Sequence, residues 1–310
     1  MQKTNINQNT SFSAVEIDLL DLFNTIFQGK WIIITVTTFI SIASVIYSLS
    51  LTNIYQSKAL LAPVNSSNSI SGKLAGYSGL ASLAGVSLPS EGGDNNSIKA
   101  MQKLRSLSFF ENNILPKIFL PDLMAVKSGN FRTKTLTYDE RIYNINTNTW
   151  LGDSSSPPSA QQSFIRFLTH LSLTEDFKTG FVSLSIKHQS PKIAKQWTEL
   201  MISEINAFYR QKDKSESEKA VSYLNQQIST TGLSEIKQVL AQLLQAEIKK
   251  LTLIEANESF VFDYIDPPAV MEKKSEPNRA NICILIALLG GMLSILLVFI
   301  RHYFFKEKVA

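Results

Sequence analysis

The residues that could carry chemistry in this chain are few and stand far apart. The sequence contains three histidines (His170, His188 and His302) and one cysteine, Cys283. A metal site needs several such groups at short, regular spacing, and a general acid–base pair needs two that meet. No second His, Cys or carboxylate stands at ligand spacing from His170 or His188. The sequence therefore predicts no metal site, and both histidines are expected to be ordinary strand or surface residues.

Sequence motifs for phosphate binding and for a nucleophilic serine do not occur either. The stretch SGKLAG lacks the upstream glycine and the hydroxyl residue after lysine that a phosphate-binding loop requires, and no G-x-S-x-G is present. Four glutamates (Glu199, Glu204, Glu216 and Glu218) lie on predicted helices and are typical of solvated helix faces. We therefore predict a protein without catalytic residues and without a cofactor.

Two long uncharged runs lie near the ends of the chain and flank its central part. Trp31 to Leu51 and Asn281 to Ile300 contain no charged residue. A run of about 20 apolar residues matches the roughly 30 Å hydrocarbon core of a bilayer. The alternatives are a cleaved signal for the first run and a buried core helix for the second. The first run is longer than a signal core and has no small-residue cleavage site after it, so we predict two retained transmembrane helices.

The two spans divide the chain into five predicted parts. Residues 1–30 form a cytoplasmic N-terminus, 31–51 the first span, 52–280 a periplasmic domain, 281–300 the second span and 301–310 a cytoplasmic tail. The tail carries Arg301, Lys306 and Lys308 against Glu307, which favours the cytoplasm. We thus expect a two-pass protein of a bacterial inner membrane with both termini cytoplasmic. The chain has a formal net charge of +4 without a basic run, so nucleic acid is not an expected partner.

The central domain is predicted to mix strands and helices. A strand over Ile54 to Val64 is followed by a Ser-, Gly- and Asn-rich loop to about Asn96, and a helical pattern begins near Ser97. The polar stretch from Gly129 to Ser159 reads as irregular. A helix and two strands joined by a turn follow it, up to His188. The fold class is therefore α+β, with two transmembrane helices flanking an α/β base domain.

Two long helices complete the predicted domain. The helix over 191–229 would be roughly 58 Å long, whereas a compact domain of this size is only about 45 Å across, so we expect the helices to project. After Gly232 a second apolar pattern returns over 233–257. Leu240, Leu243 and Leu244 lie on this return helix, and an exposed apolar stripe usually marks an interface. We predict that these leucines contact a second copy of the chain.

Several stretches in their order along the chain resemble Wzz-type chain-length determinants, the polysaccharide co-polymerase family. They include EIDLLDLFNTIFQGKW, YQSKALLAP, GFVSLSIKHQSPKIAKQW and EKKSEPNRA. The family's proline- and glycine-rich signature around the second span maps onto Pro267, Pro277, Gly290 and Gly291. The prolines enforce an extended entry to the span, and the glycines offer a small-residue face for helix packing. Met271 departs from the pattern, since many members have proline there.

The resemblance implies a function without chemistry. Such proteins form ring-like homo-oligomers with a base near the membrane and long helical walls. They act with a Wzy-type polymerase on an undecaprenyl-diphosphate-linked glycan and set its modal length, in many members that of lipopolysaccharide O-antigen. The sequence thus predicts a non-enzymatic regulator of surface polysaccharide length. The alternative is an adaptor-like membrane protein of capsule or exopolysaccharide export.

Overall fold

The computed structural model describes residues 19–64, 94–130, 135–151, 156–257 and 259–306. The chain divides into two compact units, one of Met1–Leu51 with Pro277–Ala310 and one of Thr52–Glu276. Most of the predicted Ser-, Gly- and Asn-rich loop lies outside the described residues. So do the first 18 residues of the predicted N-terminus and the last four of the predicted tail.

A four-stranded antiparallel sheet is the centre of the unit Thr52–Glu276. Its strand order is β6-β7-β1-β8, and every pair in it is antiparallel. The strands are β1 (Tyr55–Pro63), β6 (Leu171–Glu175), β7 (Val182–His188) and β8 (Phe262–Asp266). Alternate side chains of β1 are buried from Tyr55 to Leu61, which is the period-two pattern of a sheet covered on one face. The α+β class is confirmed, and the base sheet is antiparallel rather than parallel as in a strict α/β domain.

Helices cover the buried face of this sheet. The unit's helices are α3 (Asp94–Leu104), α4 (Leu120–Met124), α5 (Ala160–His170), α6 (Pro191–Thr230) and α7 (Ser234–Ala256). Between α3 and α4 the chain forms a short helical turn, a π-helix over Phe110–Ile114 and a 3₁₀ turn. The core side chains come from all four strands, from α3, α4, α5 and the π-helix, and from the first half of α6, and they include Leu61, Leu184, Phe110, Phe167, Met201 and Ile205.

The polar stretch before α5 is more regular than the sequence indicates. Two short hairpins occupy it: β2 (Val126–Asn130) with β3 (Thr135–Tyr138), and β4 (Tyr143–Asn144) with β5 (Thr149–Trp150). The ring of Tyr143 is buried and contacts Trp150, with the centroids 5.0 Å apart. A few aromatic contacts between strands order a segment whose composition is mostly polar.

The two long helices are the largest elements of this unit. Helix α6 has 40 residues, beginning at Pro191, and α7 has 23 residues. Seven of the eight buried residues of α6 lie between Ala194 and Asn206, where the helix crosses the sheet. Beyond Asn206 the helix packs against α7. The polar run 210–219 stays helical, and two ion pairs support it: Lys212 pairs with Glu216 one turn on, and Lys214 pairs with Glu255 of α7.

The described part of the other unit contains three helices. They are α1 (Leu19–Gln28), α2 (Lys30–Ser50) and α8 (Arg279–Lys306). Lys30–Ser50 and Arg279–His302 are long and apolar enough to cross a membrane. Most of their side chains are exposed in the folded chain, among them Phe39, Ile46, Leu289 and Met292. A buried core helix would show the opposite distribution.

Candidate functional site

The two candidate spans pack against each other along a seam of small residues. Three contacts locate the seam: Ile40 faces Gly290, the hydroxyls of Thr37 and Ser294 lie 3.3 Å apart, and Gly29 faces Val298. From Gly29 to Ile40 the residue numbers increase, whereas their partners decrease from Val298 to Gly290. Helices α2 and α8 are therefore antiparallel. At the far end the Arg279 guanidinium donates to the Leu51 carbonyl. Small side chains at four-residue spacing permit such close approach in a membrane.

Gly290 and Gly291 occupy different positions relative to this seam. A Cβ built at Gly290 would lie 2.8 Å from Cγ2 of Ile40, whereas the described residues leave open space around a Cβ at Gly291. Ser294, one turn beyond Gly290, is fully buried. The structure therefore places Gly290 in the seam and Gly291 outside it.

Gly29 is a seam residue that the sequence reasoning missed. A Cβ at this position would lie 2.4 Å from Cγ1 of Val298, closer than real Cβ contacts. Glycine is thus required by close approach, where α1 ends and α2 begins. The signal was available, because only Lys30 separates Gly29 from the first apolar run.

The proline-flanked segment before the second span is fastened to strand β1. The Ser57 hydroxyl donates to the Ala269 carbonyl at 2.9 Å. Ile54 bonds to the backbone of Glu276 in both directions, and the carboxylate of Glu276 pairs with Lys187 of β7. Pro267 is exposed and Pro277 half-buried. The segment between these two prolines therefore runs beside β1 without joining the sheet as a regular strand.

Asn206 ties the long helix α6 to strand β8, and the sequence reasoning did not find it. Its side-chain amide donates to the Phe262 carbonyl, and its oxygen accepts from the amides of Val261 and Phe262, all at 2.9 Å. Val261, directly before β8, and Phe262, its first residue, are both buried. The only available signal was a polar residue on the apolar face of a helix, which is the usual sign of a buried hydrogen-bonding role.

Helix α6 of the same chain partly covers the predicted apolar stripe on α7. Leu240, Leu243 and Leu244 are all half-buried, because α7 packs along α6. Leu233, Ile236 and Ile248 of the same segment are 61%, 46% and 48% exposed. A second copy of the chain would cover the exposed remainder, and self-association through these leucines stays a prediction.

Three of the four glutamates that might have formed an acid–base pair, Glu199, Glu204 and Glu216, are engaged in separate ion pairs. Glu199 pairs with Lys195 one turn earlier, and Glu204 pairs with Lys117 from the 3₁₀ turn. Within the described ranges, no group of three or more His, Cys, Asp and Glu residues could hold a metal ion. The arrangement supports helix positioning rather than acid–base chemistry.

His170 and His188 meet in the core around Trp197. The imidazole of His188 is buried, its Nε2–H donates to the Asp122 carbonyl at 3.0 Å, and its Nδ1 accepts from the Ser190 amide at 2.9 Å. The Nδ1–H of His170 donates to the Lys187 carbonyl, and the two imidazole centroids are 6.0 Å apart. His188 is therefore a buried strand residue rather than a surface one. Ser190 directly precedes helix α6, and its amide can donate to His188 only while Nδ1 carries no proton. This hydrogen bond therefore requires the neutral form of His188.

We expect acid to destabilise the protein through this pair. Burial lowers the pKa of both histidines below the ordinary value of 6.5. At pH values between the lowered pKa and 6.5, the unfolded chain binds more protons than the folded chain. The free energy of unfolding therefore falls as the pH drops below about 6.5. Thermal unfolding of the full chain in detergent, followed across this range, should show the loss. His188→Gln should reduce the pH dependence and the matched variant His302→Gln should not. An unchanged slope in His188→Gln would contradict this assignment.

Comparison with known proteins gives a match to one family model and likenesses to solved structures, of which two are described below. Residues 15–110 match the family described as Wzz, chain length determinant protein. No sequence among curated proteins is similar enough to count as a match. The match spans α1, α2, β1 and α3, and it confirms the resemblance inferred from the sequence.

The first solved structure is described as a full-length bacterial polysaccharide co-polymerase. It has 15% identity and a TM-score of 0.40, covering 93% of this chain and 99% of that one. The second is a fragment of WzzB, a polysaccharide co-polymerase from Salmonella Typhimurium. It has 13% identity and a TM-score of 0.31, covering 72% of this chain and 100% of that one. With both TM-scores below 0.5, nothing further follows from them.

Proposed function

We propose that this chain, a member of the Wzz chain length determinant family through residues 15–110, sets the length of a surface polysaccharide without catalysing a reaction. The glycan would be lipid-linked, and O-antigen of lipopolysaccharide is the first candidate. The partner would be a Wzy-type polymerase that extends the glycan on undecaprenyl diphosphate. The family match is the observation that carries the proposal.

The anchoring of the chain supports a role at a membrane. The α2–α8 pair presents apolar side chains outward and keeps Gly290 and the hydroxyls of Thr37 and Ser294 in the seam. Such a pair suits a lipid environment, in which close packing and interhelical hydrogen bonds replace hydrophobic burial between helices. We place Thr52–Glu276 in the periplasm of a bacterial inner membrane and both ends of the chain in the cytoplasm. Reporter fusions after Lys58 and within 213–219 should then report periplasm, and a fusion after Ala310 cytoplasm.

The engaged side chains support a positional role over a chemical one. His170 and His188 bond to backbone groups, and Glu199 and Glu204 pair with lysines of the same unit. Asn206 holds the first half of α6 on strand β8, and the proline-flanked segment is bonded to strand β1. The α6–α7 pair is then a rigid element that could meet neighbouring subunits or the growing glycan.

Deletion of the coding sequence, followed by gel analysis of surface polysaccharide, tests the function. We expect the polysaccharide to remain, with its modal length replaced by a broad distribution, and the full chain to restore the mode. Loss of surface polysaccharide altogether would favour the export-adaptor alternative. An unchanged length distribution would overturn the proposal.

Self-association has its own test in Leu240→Glu. The half-exposed part of a leucine contributes about 1 kcal/mol when it becomes buried, and a ring repeats the contact in every subunit. We expect the detergent-solubilised complex to shrink on size exclusion and the glycan lengths to broaden. Gln242→Glu adds the same charge at an exposed position of the same helix and should keep the size. A full-size complex in Leu240→Glu at normal protein level would show that this leucine serves only packing against α6.

A further inference from the structure

Helix α1 carries an exposed aromatic stripe directly before the first candidate span. Its sequence, LLDLFNTIFQ, places apolar residues at positions 19, 20, 22, 23, 26 and 27 and has one charge, Asp21. Phe23 and Phe27 are 63% and 59% exposed, and their ring centroids lie 5.7 Å apart. Packing among the described residues does not explain two adjacent exposed phenyl rings on a ten-residue helix.

The opposite side of α1 is fixed against the two candidate spans. Thr25 is buried, and the Gly29 amide donates to the Thr25 carbonyl at 3.0 Å. The close approach of Gly29 to Val298 leaves little freedom at the junction between α1 and α2. Because that side is held, the phenyl stripe of α1 has a defined direction.

The residues that follow α1 are those that mark a membrane–water boundary. The Lys30 ammonium lies 5.7 Å from the Phe27 ring centroid, and Trp31 is 73% exposed. Lysine and tryptophan are enriched where a helix leaves the hydrocarbon core. Exposed apolar side chains thus follow one another along the chain from Phe27 through Trp31 to Ile34 of α2.

We propose that α1 is an interfacial helix whose Phe23–Phe27 stripe inserts into the boundary between lipid headgroups and acyl chains. This inference rests on the membrane placement proposed above. Phenyl rings supply the apolar area for such insertion, and Asn24 and Gln28 supply an exposed polar side. The helix carries no lysine or arginine, so insertion depends on apolar area and not on anionic lipid. An interfacial helix at this position would hold the start of α2, and through Gly29 its seam with α8, at a fixed depth.

Site-specific labelling in lipid nanodiscs tests the inference on the full chain. In a Cys283→Ser background, single cysteines from Phe23→Cys, Asn24→Cys and Phe39→Cys are labelled with an environment-sensitive fluorophore. The nanodiscs contain phosphatidylcholine, with or without phosphatidylglycerol. Quenchers are iodide in water and nitroxides placed at shallow or deep positions of the lipid.

We expect the label at position 23 to be quenched by shallow nitroxides and protected from iodide, whatever the lipid charge. The label at 24, one residue away on the polar side, should be quenched by iodide. The label at 39 should respond to deep nitroxides, because Phe39 points outward from the middle of α2.

Each other pattern contradicts a specific claim. Iodide quenching at position 23 would show that the stripe faces water. Protection of position 23 from both quenchers would show that protein covers it, for example a second copy of the chain. Either result overturns the inference while position 39 still reports a span. Loss of lipid quenching at 39 as well would overturn the membrane placement itself.

Discussion

Replacing Asn206 with leucine is expected to lower the free energy of unfolding by about 3–5 kcal/mol. The change removes three hydrogen bonds and leaves the amides of Val261 and Phe262 and the Phe262 carbonyl without them. Each buried backbone group left unsatisfied costs about 1–3 kcal/mol, and the three losses share one site, so they do not simply add. For a unit of this size such a loss corresponds to roughly 10 °C in unfolding temperature.

Thermal unfolding of the full chain in detergent, followed by circular dichroism, measures the effect. Asn225→Leu makes the same change at an exposed position of α6 and should stay within about 0.5 kcal/mol of the parent. The reason to expect a functional effect is that Asn206 connects the long helix to β8, the strand that leads to the proline-flanked segment. The distribution of glycan lengths should therefore broaden in Asn206→Leu at any temperature at which β8 separates from α6. Equal unfolding temperatures for the two variants would contradict the role assigned to Asn206.

Gly290→Leu is expected to separate the two candidate spans, whereas Gly291→Leu is expected to leave them paired. A Cβ at Gly290 would already stand 2.8 Å from Ile40, so a leucine cannot fit unless the helices move apart. Overpacking of this kind costs about 1–3 kcal/mol, and here it also separates the hydroxyls of Thr37 and Ser294. Among the described residues, nothing within 4 Å obstructs a side chain at Gly291.

Disulfide formation across the seam reports the separation. Thr37→Cys with Ser294→Cys, in a Cys283→Ser background, places two thiols where hydroxyls now lie 3.3 Å apart. We expect efficient cross-linking in the parent and with Gly291→Leu, and most of it to be lost with Gly290→Leu. Phe39→Cys with Met292→Cys, both at outward positions, should not cross-link within one chain. Loss of glycan length control should follow Gly290→Leu and not Gly291→Leu. Equal cross-linking yields in the two leucine variants would contradict the different positions assigned to the two glycines.

The sequence by itself determined the elements whose signal is local. Uncharged runs marked both candidate spans, and period-two alternation marked β1, β6 and β7. Pro63 is the last residue of β1, and Pro191 begins α6 as expected for a proline in the first turn. The helix over 191–229 was predicted across a polar run of ten residues, and the structure has it over Pro191–Thr230. These features depend on residues that are close together along the chain, so a local sequence pattern is enough to predict them.

Only the tertiary structure decided which faces meet. Gly290 and Gly291 are adjacent and chemically identical, yet their Cα positions differ by about 100° around a helix, so only one faces Ile40. Asn206 is 55 residues from Val261, and His188 is 66 residues from Asp122. No periodicity within a segment encodes such pairs. The same holds for the half-burial of Leu240, Leu243 and Leu244, because the fraction of a stripe that one chain covers depends on how closely α6 and α7 approach.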